Sequence, residues 1–582
     1  MISFRKLNIY INTIRFLKTS QIYHYILNYI KKNFLNRWYI RQVSKLDCMR
    51  HPVKEEIHQK PSLKNIHNLS SKTFIFLNQE VCFQNKINWN DSRRSKLWLY
   101  NLHYFDYIIV DGMDESKESY IIKKNIISEW ISSNPIGQDN GWEPYPLSLR
   151  IVNWIYFYYY DYDYFEEEPE FKNLFLNSLY HQCAYLQRFL EFHIRANHLL
   201  KNVKALLIGG LFFENDAWII KAQEILNLEL DEQILPDGGH FERSPMYHSI
   251  VLEDVLDIIN FKSIHPSSSN KREIDYLKNL ARKMLDWLHK VLHPDLKIPL
   301  FGDSALEISL PLDQLRDFYQ KICVAELDIN EKSDIESLAS TGYYVFHSSN
   351  QYFIIDGGKL AVDYQPGHAH ADIFSFEYSY KSRRFIVDSG PGEYLNTDLR
   401  QRARSIYGHN CLVVNKLEPA DLWAVFRMAR RVKEGKVDVK QEGDELVFKG
   451  TYQNNLSYSF SYRHQREVRF IKKRYIMITD TVEAKGIKSL ESIIHPHPEC
   501  EIEIKDGLIK VARGEDSIYI CYISDEFSIN VKDWFYTPEF GKVIDSKSIS
   551  IHPKHPNRTT ISYMIIPEPY YQERKNYFSQ NY

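Results

Sequence analysis

Gly367-His368-Ala369-His370-Ala371-Asp372, running on through Phe374-Ser375-Phe376-Glu377-Tyr378, sits where the chain takes up a strand period. Three ionisable side chains stand two residues apart, and aromatic residues then alternate with small or polar ones, as in a strand with one buried face. That spacing turns His368, His370 and Asp372 the same way at the mouth of the strand. Asp388 follows in Phe385-Ile386-Val387-Asp388-Ser389-Gly390, and His409 in Gly408-His409-Asn410. Imidazoles and carboxylates so distributed can hold a divalent metal, or supply a base and its orienting partner; a loop of solvated histidines is the plainer alternative.

Around this stretch the strand period holds. Segments 343–346, 352–355, 374–380, 385–387, 446–448, 468–471, 475–478 and 502–504 read as strands. Turn signals such as Glu442-Gly443-Asp444 and Lys505-Asp506-Gly507 break them, and no helical pattern competes to the carboxyl end. Many strands with tight turns and no intervening helix make antiparallel sheets stacked as a sandwich.

Toward the amino side, from about Trp98 to Gln320, the period is helical. Leu147, Ile151, Trp154 and Tyr158 recur at three and four, as do Leu199, Val203 and Leu206, and Leu277, Leu280, Met284, Trp287 and Val291. The loops between are rich in Gly, Pro and aromatics: Gly141-Trp142-Glu143-Pro144-Tyr145-Pro146 and Pro236-Asp237-Gly238-Gly239-His240-Phe241. Such helices form a bundle or toroid with the loops gathered at one end, where binding residues sit. The boundary falls between Cys323 and Thr341, at the polar run Asn330-Glu331-Lys332-Ser333-Asp334. The expected division is a basic helical extension over 1–90, a helical domain over 91–330 and a β domain over 340–582.

With 582 residues, more than one domain is expected. A formal net charge of -2 argues against a general nucleic-acid binder, which needs a basic excess. Aromatic residues reach 14%, with 41 Tyr, a supply of faces on which sugar rings stack, although most serve core and strands. The seven Cys are scattered singly, which fits reduced thiols rather than a disulfide framework or a zinc knuckle.

From Met1 to Leu46 there is no acidic residue, against Arg5, Lys6, Arg15, Lys18, Lys31, Lys32, Arg37, Arg41 and Lys45. Phe4, Leu7, Ile11 and Ile14 fall at helical spacing, as do Ile22, Tyr25, Ile26, Tyr29 and Ile30. Charges interrupt the stretch too often for a membrane span or a signal-peptide core, so a cytoplasmic location is expected. These basic amphipathic helices either dock on the rest of the protein or lie on an anionic membrane surface.

Two helical loops offer chemistry. Asn197-His198 opens a helix: Asn197 can be its N-cap, while the helix start disfavours an imidazolium at His198 and leaves a neutral base. In Gly238-Gly239-His240-Phe241-Glu242-Arg243-Ser244-Pro245-Met246-Tyr247, Arg243 lies close in sequence to Tyr247, and a nearby cation favours phenolate. A capping loop with an aromatic plug is the alternative. Trp142, Tyr145, Asn101 and His103 are further candidates for the cleft wall.

Together with Arg404-Ser405-Ile406-Tyr407-Gly408-His409-Asn410, these motifs resemble the heparinase II/III-like polysaccharide lyases over most of the chain from about Trp98. The resemblance implies an incomplete (α/α) toroid followed by an antiparallel β super-sandwich, with the active site between them. It implies β-elimination at a uronic acid in an acidic polysaccharide or oligosaccharide, with no organic cofactor. By the same resemblance Asn197 binds the carboxylate, His198 or His368 takes the C5 proton, and Tyr247 is general acid and can also be base. Glu242, Arg243, Trp142, Tyr145 and His103 would bind substrate. His370, Asp388 and His409 match a structural zinc set of some members, although His409 can instead belong to the catalytic group without metal. The basic extension brings the chain nearer to the subset that makes bacterial surface polysaccharides, such as capsule or O-antigen. A uronate C5-epimerase and a non-catalytic glycan-binding protein of surface-polysaccharide assembly are the rival functions on this scaffold.

Overall fold

The computed structural model describes residues 4–48, 52–63, 67–109, 116–266, 270–324, 332–443, 445–457, 459–471, 474–505, 507–522, 527–555 and 559–571. Asn330, Glu331, Asp444 and Asp506, part of the expected boundary and turns, lie outside them.

Three helices lead: α1 (Phe4–Ile14), α2 (Thr19–Ile30) and α3 (Asn36–Val43), the last two joined without a break by a π turn at Lys31–Leu35. A hairpin follows, pairing Thr73–Phe76 with Gln79–Cys82. Leu77 and Asn78 both have positive φ (53° and 57°), as a tight two-residue hairpin turn of this hand requires.

The helical half comprises α4 (Lys96–Tyr104), α5 (Lys117–Ser133), α6 (Pro144–Tyr160), α7 (Tyr162–Glu167), α8 (Pro169–Leu186), α9 (Ala196–Phe212), α10 (Asp216–Gln233), α11 (Pro245–Ile264), α12 (Lys271–Val291) and α13 (Leu312–Cys323). Helix α9 is buried along almost its whole length, with its Lys201 and Lys204 paired to Asp254 and Asp257, which makes it a central helix. Its Gly209 lets α8 approach: a Cβ there would stand 2.6 Å from Cys183 Sγ.

The β half contains a five-stranded antiparallel meander: Ile335–Leu338, Tyr343–His347, Gln351–Asp356, Phe376–Tyr380 and Arg383–Ile386. An eight-stranded sheet and a four-stranded sheet pack with it, the first centred on Tyr475–Glu483 and Thr560–Pro567 and the second on Leu490–Ile494 and Lys542–Pro553, beside a separate pairing of Ala420–Trp423 with Arg427–Arg431. One apolar core joins all three, with Phe346 stacked on Phe470 and Ile494 and Ile551 alongside. The strand after the histidine stretch begins at Phe376 rather than Phe374, whose φ of 61° keeps the backbone out of the sheet. A short helix, α14 (Asp398–Arg404), also interrupts the region read as strands alone.

The alternation after Asp372 has a different meaning from a strand with one wet face. Every residue of Phe376–Tyr380 is buried. Phe376, Tyr378 and Tyr380 enter the sandwich core, while Glu377 and Ser379 face the helical half, where Glu377 accepts from Leu300 N (2.7 Å) and Ser379 Oγ lies 2.8 Å from His293 Nδ1. The polar face of this sheet is thus the seam between the halves.

Thr341 fastens that seam. Its N–H and hydroxyl donate to Asp237 Oδ2 (2.7 and 3.0 Å), and its hydroxyl accepts from Trp287 Nε1 (3.0 Å). Gly239 passes so close that a Cβ would lie 2.1 Å from Thr341 Cγ2 and 2.5 Å from Trp287 Nε1. Gly239→Ala should therefore destabilise the protein by about 1–3 kcal/mol through overpacking, seen as a lower thermal midpoint by calorimetry.

Candidate active site

Three loops meet at one end of the seam, each bent through non-glycine residues of positive φ: Arg195 (65°) and Ala196 (50°) at the start of α9, Arg243 (56°) before α11, and Phe374 (61°) after the histidines. Such backbone costs on the order of 1–3 kcal/mol per residue and persists where the surroundings over-determine it. Here they do: the Arg195 guanidinium is held by Glu229 (2.8 Å) and Glu232 (3.2 Å), and Arg243 donates to the carbonyls of Thr341 (2.8 Å) and Phe241 (3.0 Å).

Glu242 lies at the centre, buried. Asn197 Nδ2 donates to Glu242 Oε1 at 2.8 Å, and His368 Nδ1 lies 2.6 Å from Oε2. An ionised carboxylate only accepts, so both bonds assign their donors. The Asn197 amide must turn its NH2 to Glu242, leaving Oδ1 buried without a protein partner. His368 carries its proton on Nδ1, leaving Nε2 as the basic nitrogen. Burial alone would raise the Glu242 pKa, but His368, then His240 and Asn197, outweigh it and bring it down to about 2. Asn197 lies within the first turn of α9; the N-cap is Arg195, so the capping alternative does not hold.

The Tyr247 ring stacks on His368, centroids 3.9 Å apart and planes within 15°. Its hydroxyl is 3.2 Å from that of Tyr394. Burial and then Tyr394 raise its pKa well above 10, so it holds its proton. The phenolate expected from Arg243 is corrected, because that guanidinium turns to backbone oxygens at the seam.

His198 departs from expectation in the same sense. Its Nδ1 lies 3.3 Å from both Glu191 oxygens, and Asn202 Nδ2 donates to Glu191 at 3.1 Å. Burial opposes charging the ring, yet Glu191 outweighs it and the pKa is raised. An adjacent carboxylate thus overrides the helix start, and the imidazolium is favoured. The Tyr145 ring packs against His198 at 4.5 Å and is partly exposed, at the edge of the site.

Four of the five expected substrate contacts are placed otherwise. Glu242 and Arg243 are spent on the bonds above. Trp142 is core, donating to Asn134 O (3.1 Å), and His103 is fully buried between Trp89 O (3.0 Å) and Trp130 Nε1 (2.9 Å). Asn101 returns its amide to Leu97 O (2.8 Å) on its own helix.

The expected zinc set is divided. Asp388 Oδ2 lies 2.7 Å from His409 Nδ1, whereas His370 Nε2 lies 2.8 Å from Asp303 Oδ1. His370 Nδ1 and His409 Nε2 are buried without a protein partner, in rings whose centroids are 5.2 Å apart, so the pair offers two unspent donors. Among the described residues no three His, Cys, Asp or Glu side chains converge as a metal-ligand group.

Sequence reasoning missed Glu191, Tyr394, Asp303 and Arg400. Arg400, on α14, donates through Nη1 and Nη2 to the two Asp303 oxygens and lies 5.1 Å from the Tyr394 ring. None of the four stands in a patterned motif; only Asp303, in the short polar run Gly302-Asp303-Ser304, gave a visible signal.

Comparison with known proteins places these features in context. The description "Heparinase II/III N-terminus" matches residues 6–322, and "Heparinase II/III-like, C-terminal" matches 330–564. A heparin-sulfate lyase of Pedobacter heparinus is 24% identical over 386 residues, 61% of this chain and 54% of that protein. Another, of Bacteroides thetaiotaomicron, is 24% identical over 468 residues, 70% of this chain and 62% of that protein. The chain thus spans less than two thirds of the length of these relatives. The solved structure of heparinase III aligns with a TM-score of 0.69 at 19% identity, over 84% of this chain and 80% of that one. A heparan sulfate lyase mutant from Pedobacter heparinus gives 0.61 at 19% identity, over 92% and 88%. At these identities the likeness shows the fold, an incomplete (α/α) toroid followed by an antiparallel β super-sandwich.

The Glu242 environment predicts a pH effect. A carboxyl whose pKa falls on folding from 4.5 to about 2 contributes stability that is complete above 4.5 and lost as pH falls toward 2. In urea unfolding across that window, Glu242→Gln should remove on the order of 3 kcal/mol of the wild-type pH dependence.

Proposed function

The chain belongs to the heparinase II/III-like family, and from that premise we propose that it is a polysaccharide lyase acting on a uronate-containing polysaccharide or oligosaccharide by β-elimination. The observation that carries this reading is Glu242, which holds Asn197 from one half and His368 from the other while Tyr247 stacks on His368.

The chemical obstacle is the C5–H of a uronate, which is too weakly acidic while the neighbouring carboxylate keeps its charge. Removing that proton, stabilising the resulting enolate and protonating the departing O4 are separate tasks, and the side chains divide them. His198, held as imidazolium by Glu191, neutralises the carboxylate. Asn197 Oδ1 accepts from the carboxyl O–H formed when the His198 imidazolium passes its proton to the uronate, a proton that returns to His198 when the product carboxylate reforms. His368 takes the C5 proton on Nε2, with Nδ1 fixed by Glu242 so that the positive charge it gains faces a carboxylate. Tyr247, a phenol with its proton in place, gives that proton to O4, so the glycosidic C4–O4 bond breaks as the C4=C5 double bond forms. Its contact with Tyr394 offers a hydroxyl to share the phenolate charge left behind. The two reacting groups are side by side, as adjacent atoms of one sugar ring require.

Absorbance of the unsaturated uronate, followed on heparan sulfate and on other acidic polysaccharides, tests the reaction. Solvent deuterium incorporated at C5 with no new absorbance would replace elimination by epimerisation. Tyr247→Phe should lower kcat by about 10²–10⁴-fold, and full activity in that variant would remove Tyr247 from its role.

A second test follows from charge. If the His198 imidazolium is required, activity is present below its raised pKa and is lost as pH rises through it. Glu191→Gln removes the chief influence holding that pKa up, so the alkaline loss of kcat/KM should move to lower pH. An unmoved midpoint would assign the limb to another group.

A further inference from the structure

Helix α2 is amphipathic in the reverse of the usual sense. On α2 the face turned to the protein is largely polar: Gln21 is buried and donates to Tyr364 O (3.4 Å), His24 stacks on Phe192 (4.6 Å) and Asn28 lies 3.4 Å from His193 Nε2; α3 docks through Asn36, which donates to Gly137 O (3.4 Å), together with Tyr39 and the buried Val43. Apolar residues occupy the outer face. Tyr25 is 64% exposed, Ile26 56%, Tyr29 61%, Phe34 73% and Trp38 55%. A soluble helix normally does the opposite, burying its apolar stripe and wetting its polar one. An apolar stripe continued along one rod from Thr19 to Val43 marks an interaction surface.

Charge decides what it meets. Lys32, Arg37 and Arg41 are exposed on the same rod, and no acidic residue occurs from Met1 to Leu46. A second copy docked face to face would set cations against cations, because a two-fold contact pairs a patch with itself. A surface of anionic lipid offers both complements, negative headgroups for the cations and an acyl boundary for the aliphatic residues, with Tyr and Trp at headgroup level. No helix among the described residues is long and apolar enough to cross a membrane, so these helices would lie in the interface.

We propose that the rod formed by α2 and α3 is a docking surface for an anionic lipid bilayer, held to the protein by its inner face and inserted by the outward Tyr25, Ile26, Tyr29, Phe34 and Trp38. This inference is independent of the catalytic reading.

Flotation of the full chain with phosphatidylcholine vesicles containing about one third phosphatidylglycerol, against phosphatidylcholine alone, tests it. Binding to the anionic vesicles should be at least about tenfold stronger, and should fall in about 1 M salt, where the screening length drops to ~3 Å. Replacing four outward residues together, Tyr25→Ser, Ile26→Ser, Tyr29→Ser and Phe34→Ser, should weaken binding by about 100-fold with an unchanged thermal midpoint. Lys32→Glu, Arg37→Glu and Arg41→Glu together should abolish the preference for anionic vesicles, which keeps the test decisive if the serine variant folds poorly. Absence of flotation, equal binding to neutral vesicles, or a dimer in sedimentation that the serine variant turns into a monomer would each overturn the proposal, the last in favour of self-association.

Discussion

A carboxylate shut away from water costs several kcal/mol unless its partners repay it, and Glu242 is tolerated in the seam because an amide from α9 and an imidazole from the β half both bond to it. Neither partner belongs to its own loop. The arrangement exists only while the two halves are docked, so the placing of His368 over Tyr247 depends on the same packing that closes the seam at Thr341 and Gly239. A disturbance there would be felt at the site without touching any residue in it.

The seam carries several other buried carboxylates, some paired with arginine and some set against rings, such as His370 and His293, that burial keeps neutral. Asp303 meets Arg400 and His370, Asp388 meets His409, and Glu377 meets His293 and, at 3.5 Å, Arg384. Buried pairs of this kind add little net stability, since desolvation consumes most of the attraction, but a one-residue slip would leave several buried polar groups unpaired at once. Their consequence is register. The five-stranded sheet can present its polar face to the helices in one position only, and that position brings His368 to Glu242. The strained backbone at Arg195, Arg243 and Phe374 belongs to the same economy, being held by bonds that span segments distant in sequence.

Much of this was legible in the sequence. The helical and strand periods gave the two halves, and His368, Tyr247, Asn197 and His198 were found from short motifs and do meet. What the alternation Phe374-Ser375-Phe376-Glu377-Tyr378 could not reveal is that its polar side faces protein instead of water, because period alone does not distinguish a wet face from an ionic seam. The same limit explains His103 and Trp142: aromatic residues at helix ends read alike whether they line a cleft or fill a core. Glu191 and Arg400 were invisible for another reason, since their worth comes from partners 7 and 97 residues away. The direction of the His198 and Tyr247 shifts was misread on local cues, a helix start and a neighbouring arginine, that tertiary contacts override.

Those two shifts carry the last step. His198 and Tyr247 each keep a proton, one because Glu191 adds negative charge beside it and the other because burial denies charge to the phenol. Groups that hold their protons are suited to neutralise and to donate, and poorly suited to abstract. Between His198 and His368, it is His368 whose bonded nitrogen faces Glu242 while its other nitrogen is left open to the substrate. Under the proposed elimination, the choice between His198 and His368 as base therefore falls on His368, and the choice between acid and base for Tyr247 falls on acid. Both follow from where the neighbouring carboxylates sit, which makes Glu191 and Glu242 the residues that tell otherwise similar imidazoles apart.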